Sequence, residues 1–425
     1  MTSTSPGELS PGPARADAEF VPLSRRRFPA LEGLRGLAAI GVLIQHLGFW
    51  TGATFNTRAG GLLARLDWGV PVFFAISGFL LFRAPAEALL DPDEVSPFSD
   101  LEKFWRRRIW RVFPAYLAVF AIVMIVPRHI TAKPSLLEMP LHVLLLQIYP
   151  TDTFAEGISQ AWSLSVEISF YLLLPFFGRA LYPLVRGHPV SKRATRLLAV
   201  MVGLVAFSTL WRAAVFALTD GDAFRAVFWL PGTIDYFAVG MTLAVILAWA
   251  DRRPIGRELA DTLGYFQGGW WLMAIVPYAI MAYGLDLDVG LGRSSWHLEL
   301  LRQACTFVIG AMLITPAILV DYSRPRLSAP YRFLTWRPVE WFGTISFSFY
   351  LWHLAVLETM FRVFNHRPQE EFKGQFLDWD PTAPWGDIAI ITTTTVVISI
   401  LLAIPTYRYV EIPTMEYSRK RNQRA

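Results

Sequence analysis

Along most of this chain apolar residues come in runs of about twenty, separated by shorter polar segments that hold most of the basic residues. A helix rises about 1.5 Å per residue, so about twenty residues cover the ~30 Å hydrocarbon core of a bilayer. Ten runs of this kind are read, at roughly 34–54, 69–86, 108–127, 162–184, 196–218, 229–250, 268–285, 300–320, 341–363 and 386–407. A shorter apolar piece, Leu136 to Tyr149, holds Pro140 and His142 and is too short to cross. It reads as a re-entrant or interfacial helix. The predicted fold class is all-α, a polytopic membrane protein of about ten transmembrane helices plus that short element. Residues 1–28, rich in Ser, Pro and charge, read as a disordered cytoplasmic tail, 29–412 as the transmembrane domain, and 413–425 as a basic cytoplasmic tail.

Composition agrees with the pattern. With 54% hydrophobic and 14% aromatic residues spread over 425 positions, an ordinary soluble enzyme is excluded. The net charge of +5 does not point to nucleic acid, because the basic residues alternate between loops and form no single patch. Arg25 to Arg27 precede the first span, Lys103 and Arg106 to Arg108 separate the second from the third, and Arg419, Lys420 and Arg421 lie near the end. By the positive-inside rule both termini are expected in the cytoplasm, with the chain in the inner cell membrane. No cleaved signal peptide is expected. Cys305, the one cysteine, falls inside the eighth span, so no disulfide framework and no cysteine metal cluster are expected within one chain. The oligomeric state is not legible.

Arg35 and His46 share the first apolar run, RGLAAIGVLIQH, eleven positions apart. Eleven steps of about 100° bring both side chains to one helix face, about 16 Å apart along the axis. A cation then lies at the inner surface and an imidazole near mid-bilayer. Ionisable groups at that depth are costly and rarely face lipid, although anchoring by Arg35 and a helix-to-helix hydrogen bond from His46 would account for them equally well. In the third span Arg108 and Arg111, three apart, reach the same inner level, so three arginines converge on a place suited to phosphates. Ser77 and Gly78 interrupt the large residues of the second span, Gly78 for close helix approach and Ser77 as a hydrogen-bonding group.

The fourth span, AWSLSVEISFYLLLP, places Glu167 one or two turns below the outer surface, with Ser163 and Tyr171 four residues either side. Asp235 near the start of the sixth span is expected at a similar depth, and the two carboxylates together predict a polar vestibule open to the exterior. In the ninth span, GTISFSFYLWH sets His353 near the level of His46. Histidine titrates near neutrality and serves as a general base on a hydroxyl. There is no zinc spacing, phosphate-cradling glycine loop or nucleophile elbow, and no metal is expected.

Taken in order, these segments resemble the acyltransferase 3 family of membrane-embedded O-acyltransferases over about residues 28 to 415. The resemblance rests on Arg35 with His46, FFAISGF, Arg108 with Arg111, WSLSVE with Glu167, ISFSFYLWH with His353, and the closing YRYVEIP with Glu411. Ala75 stands where some members carry the serine of a Phe-Ser-x-x-Gly motif. The resemblance implies transfer of an acyl group, usually acetyl, from acyl-CoA to a hydroxyl on a sugar, glycolipid or other envelope acceptor. On that reading His46 and Glu167 are the expected catalytic groups, with Glu167 either orienting His46 or binding the acceptor, and Arg35, Arg108 and Arg111 are the expected CoA-binding set. Ser77, Tyr171, Asp235 and His353 are the expected substrate contacts. Some members carry a fused hydrolase-like domain outside the membrane. None is seen in this sequence, which argues against two-step peptidoglycan acetylation by one polypeptide.

A rival from another class is a proton-coupled transporter or lipid flippase, since ionisable groups at both faces and mid-membrane also serve a carrier. Release of free CoA from acetyl-CoA discriminates the two, because a carrier releases none.

Overall fold

The computed structural model describes residues 27–91, 97–126, 133–150, 156–218, 224–285, 287–288, 295–320, 327–365 and 385–424. The N-terminal tail as far as residue 26, most of the loop after the ninth span with Trp379, and His129 and His366 lie outside the described residues. Among the described residues there is no strand. Each apolar run is a helix: α1 (Pro29–Trp50), α2 (Gly69–Leu90), α3 (Leu101–Ile125), α4 (Trp162–Val185), α5 (Val190–Leu218), α6 (Leu230–Ala250), α7 (Gln267–Ala279), α8 (Trp296–Ile318), α9 (Arg337–Asn365) and α10 (Trp385–Thr406).

Eight of these, with their short lead-in turns, are long and apolar enough to cross a membrane. The other two are α7, which continues through a π-helical turn at Ile280–Gly284, and α9, which carries Arg337, Glu340, His353, Glu358 and Arg362. At 29 residues α9 is about 43 Å long, more than enough to span the hydrocarbon core. The chain is therefore an all-α, multi-pass membrane protein. The segment around His142 forms only a five-residue helix, Met139–Val143, and turns Leu136 and Leu137 outward, as an element lying along an interface requires. Residues 413–424 continue the helix Ile412–Arg424, whose Tyr417 ring lies 4.9 Å from Trp110 on α3.

Helix starts follow local chemistry. Pro29 and Pro231 occupy first turns, where the missing N–H costs nothing, and the Asp100 side chain caps α3 by accepting from the Lys103 amide at 2.8 Å. α6 is the axis of the bundle, with 94% of its membrane-length window buried. It runs parallel to α2, and the two touch backbone to backbone. A Cβ on Gly240 would lie 1.9 Å from the Ala75 carbonyl oxygen, and one on Gly78 would lie 2.2 Å from that of Phe237. Without a hydrophobic drive between helices in lipid, such close approach by small residues supplies the dispersion contact that holds the pair. α1 and α9 form a second parallel pair, with Gly343 packed on the Glu32 carbonyl and Gly33 on that of Leu334 in the short helix Ala329–Leu334. Two parallel pairs side by side bring Ser77 and Phe73 of α2 near Tyr350 of α9.

Gly240→Ala must push α2 and α6 apart. It is expected to destabilise the purified protein by about 1–3 kcal/mol, read as a lower melting temperature in detergent. Gly310→Ala, where an added Cβ meets nothing within 4 Å, is the matched control and is expected to melt like the parent. Equal behaviour of the two variants would contradict a tight α2–α6 seam.

Candidate functional site

A cavity of about 80 Å³ lies between α1, α2, α3, α4 and α9. Arg35, Arg108 and Arg111 line it together with Ser77, Ser163, Glu167 and Tyr171, and Phe73, Phe74, Leu80, Leu81, Phe347 and Tyr350 supply apolar walls. The three arginines expected at one level therefore meet, and they face a single carboxylate among the lining residues. Arg35 reaches back to Glu32 at 3.3 Å. The Arg108 guanidinium lies over Phe104 at 5.6 Å, and its Nε is buried with no hydrogen-bond partner among the described residues. A buried guanidinium N–H left unpaired is costly, and an anion in the cavity would satisfy it.

Glu167 belongs to this cavity and not to a separate outer vestibule. Its carboxylate accepts from the Ser77 hydroxyl and from Tyr171, and Tyr171 is held from behind by Trp105, whose Nε1 donates to the Tyr171 carbonyl at 3.0 Å. With their protons committed to Glu167, the Ser77 and Tyr171 oxygens offer lone pairs to a ligand that brings N–H donors. Ser163 bonds the Tyr350 hydroxyl at 2.9 Å, and that hydroxyl donates to the Gln160 carbonyl at 3.0 Å. The sequence pattern WSLSVEISFY thus places three side chains, at 163, 167 and 171, on one face of α4 toward the cavity.

The histidines form a pair next to the cavity. His46 Nδ1 and His353 Nε2 are 3.1 Å apart, with the rings nearly parallel at 5.3 Å between centroids. Neither ring lines the cavity. Tyr350 stands between: its side chain lines the cavity and meets Phe73 edge-on at 5.7 Å, while its carbonyl bonds His353 Nδ1 at 2.7 Å. The Tyr350 ring itself lies 5.3 Å from the His353 ring, centroid to centroid.

Asp235 is placed elsewhere. It is 2% exposed in the α5–α6–α8 interior, where Ser208 and Gln303 donate to it and Arg212 approaches to 3.9 Å. Tyr236 completes the knot by donating to Gln303 at 2.6 Å. Every oxygen of that carboxylate is engaged by protein, so the structure does not bring Asp235 to Glu167.

Sequence reasoning gives no role to three residues, of which Glu411 is named only within the YRYVEIP stretch. Gln160, 3% exposed, donates to the carbonyls of Tyr350 at 3.1 Å and Leu351 at 3.0 Å. Glu411, in a π-helical turn at Tyr407–Glu411, accepts from Ser348 and interacts electrostatically with Arg111 and Arg35 from below the cavity. Tyr350 is the third. The available signals are weak: Gln160 sits in a single helical turn too short for periodicity, and the YRYVEIP stretch that holds Glu411 carries no role by itself, although π turns do recur at functional sites. Among the described residues no group of three or more His, Cys, Asp or Glu side chains is arranged to hold a metal ion.

Comparison with known proteins identifies the family. The Acyl_transf_3 family model, an acyltransferase domain, matches residues 28–404. YrhL of Bacillus subtilis is 27% identical over 346 residues, covering 78% of this chain and 49% of that protein. The O-acetyltransferase OatA of Staphylococcus aureus is 26% identical over 349 residues, 79% of this chain and 51% of that protein. The peptidoglycan O-acetyltransferase OatA of Listeria monocytogenes is 24% identical over 351 residues, 79% of this chain and 50% of that protein. The chain thus spans about half the length of the curated relatives it matches. No solved structure matches it. A family match that covers the arginine cavity, the histidine pair and the helices that hold them leaves one conclusion, that this chain belongs to the acyltransferase 3 family.

Proposed function

We propose that the chain is a membrane O-acetyltransferase that moves an acetyl group from cytosolic acetyl-CoA to a hydroxyl of a cell-envelope carbohydrate, with both its termini in the cytoplasm. The observation that carries the reading is a cavity at bilayer depth in which three guanidiniums face one carboxylate. That surplus of positive charge on partly buried side chains calls for an anionic ligand, and guanidinium groups bind phosphate bidentately. Nucleotide phosphates of CoA, entering from the side on which α1 and α3 begin, meet Arg35, Arg108 and Arg111. The pantetheine arm brings amide N–H groups, which the lone pairs of Ser77 and Tyr171 accept.

The names of the O-acetyltransferase relatives support acetyl as the group transferred. The thioester reaches His46 when the Phe73 and Tyr350 rings part. His46 then takes the proton of the acceptor hydroxyl, the oxygen attacks the thioester carbonyl, the C–S bond breaks, and the proton passes to the departing thiolate. Glu167 holds Ser77 and Tyr171 and offsets part of the arginine charge. The acceptor approaches from the opposite side of the membrane, and the names of the OatA relatives support a glycan as its class. The O-acetyltransferase names of the relatives favour acyl transfer over transport as the use of the arginine cavity and the histidine pair beside it.

In purified protein given acetyl-CoA and muramidase-released glycan fragments, His46→Ala is expected to lower CoA release by about 10²-fold or more while acetyl-CoA still binds. Retained turnover would reject the assignment of His46 as base. Arg108→Ala and Arg111→Ala are each expected to weaken acetyl-CoA binding about 10- to 100-fold, as loss of a hydrogen bond to a charged group does, with smaller effects at high salt than at low salt. Titration calorimetry checks this, and unchanged affinity in both variants would remove the arginines from the CoA site.

A further inference from the structure

We propose that His353 is a positioning residue that fixes the tautomer of His46, and that the Tyr350 carbonyl and Gln160 fix His353 in turn. The inference rests on the acyl-transfer reading of the histidine pair and adds to it a role for residues outside the cavity.

The argument is one of donors and acceptors. The Tyr350 carbonyl oxygen has no proton to give, so His353 Nδ1, 2.7 Å away, carries the hydrogen of that bond. A neutral imidazole has one N–H, so His353 Nε2 is bare and accepts. His46 Nδ1 lies 3.1 Å from it and must therefore be the donor. By the same count His46 Nε2 has no proton. Its lone pair is the one group in the chain of bonds left free to take a proton from a hydroxyl. A histidine without such a partner divides between its two tautomers, and only one of them presents a base at a given nitrogen.

Burial makes the arrangement robust. His353 is 0% exposed, so no water competes for its nitrogens; its ring lies nearly parallel to Phe349 at 6.2 Å and meets His46 edge to edge, within 20° of coplanar, as an in-plane N–H···N bond requires. The Tyr350 carbonyl also accepts from Gln160 Nε2, which ties the turn before α4 to the helix that carries His353. When His46 accepts the hydroxyl proton at Nε2, the ring becomes a cation with hydrogens on both nitrogens. The Nδ1–H bond to His353 Nε2 then becomes charge-assisted and supports the charge until the proton on Nε2 passes to the thiolate of CoA. A carboxylate would do this more strongly, but an ionised carboxylate at this depth costs more to bury than a neutral imidazole.

Two variants separate positioning from packing. His353→Gln keeps an acceptor oxygen for His46 Nδ1 and an N–H for the Tyr350 carbonyl, whereas His353→Leu keeps neither. With acetyl-CoA and muramidase-released glycan fragments, His353→Leu is expected to lower kcat about 10²-fold with the KM for acetyl-CoA unchanged, and His353→Gln to recover at least a tenth of the parent kcat. Nitrogen-15 NMR of histidine-labelled full-length protein, with His46 assigned by its loss in His46→Asn, reads the tautomer without turnover. It is expected to show Nδ1 protonated and Nε2 bare in the parent. A Gln variant no better than the Leu variant, a Leu variant with parental kcat, or a parent His46 protonated at Nε2 would each overturn the proposal. If the Leu variant does not fold, the Gln variant and the parent spectrum still decide. If the parent releases no CoA, the acyl-transfer reading fails, and the spectrum alone shows whether the tautomer lock stands.

Discussion

Three guanidiniums share one cavity within a helical bundle, against one carboxylate, and the rest of the site follows from that constraint. Like charges at this depth repel, and each pays for lost hydration unless something satisfies it. The protein meets part of the demand with Glu167 in the cavity, Glu32 beside Arg35, and Glu411 beneath Arg35 and Arg111. The remaining demand is a binding site for anions. The bundle resists the repulsion through helix pairs that touch at backbone distance, α2 on α6 and α1 on α9, so the helices carrying Arg35 and Ser77 are anchored by their own seams.

The second organising feature is the separation of charge from proton transfer. The arginines and the histidines occupy neighbouring compartments divided by Phe73 and Tyr350. A cationic cavity would disfavour protonation of an imidazole placed inside it. Setting His46 and His353 behind an aromatic layer, in contact with a carbonyl oxygen and each other, lets the imidazole act as a base next to a site built for phosphate. Tyr350 joins the two, because its ring walls the cavity while its carbonyl holds His353.

Much of this was legible before any coordinates. Ten apolar runs gave ten helices because hydropathy over about twenty residues is a strong signal. Arg35, Arg108 and Arg111 could be placed at one level by counting residues from helix starts, and His46 and His353 likewise. Depth could be counted, but azimuth could not. α6 is buried almost all round, so nothing in its sequence shows which way Asp235 faces, and it turned to Arg212, Ser208 and Gln303. A span counted from Trp162 sets Glu167 only one or two turns below the outer surface. The helical turn Ser159–Ala161 precedes it, carries Glu167 deeper, and puts it against Ser77. Gln160 acts through backbone carbonyls, which leave no periodic trace, and YRYVEIP shows Glu411 but not the π turn that sets it against Ser348.

The most direct measurement of the central claim is a structure by electron cryomicroscopy of the full chain with a non-hydrolysable acetyl-CoA analogue. The account predicts the phosphates within hydrogen-bonding distance, about 3 Å, of the Arg35, Arg108 and Arg111 side chains, with the acetyl end past Phe73 and beside His46. Phosphates bound elsewhere, or an acetyl group still sealed from the histidine pair by Phe73 and Tyr350, would contradict it.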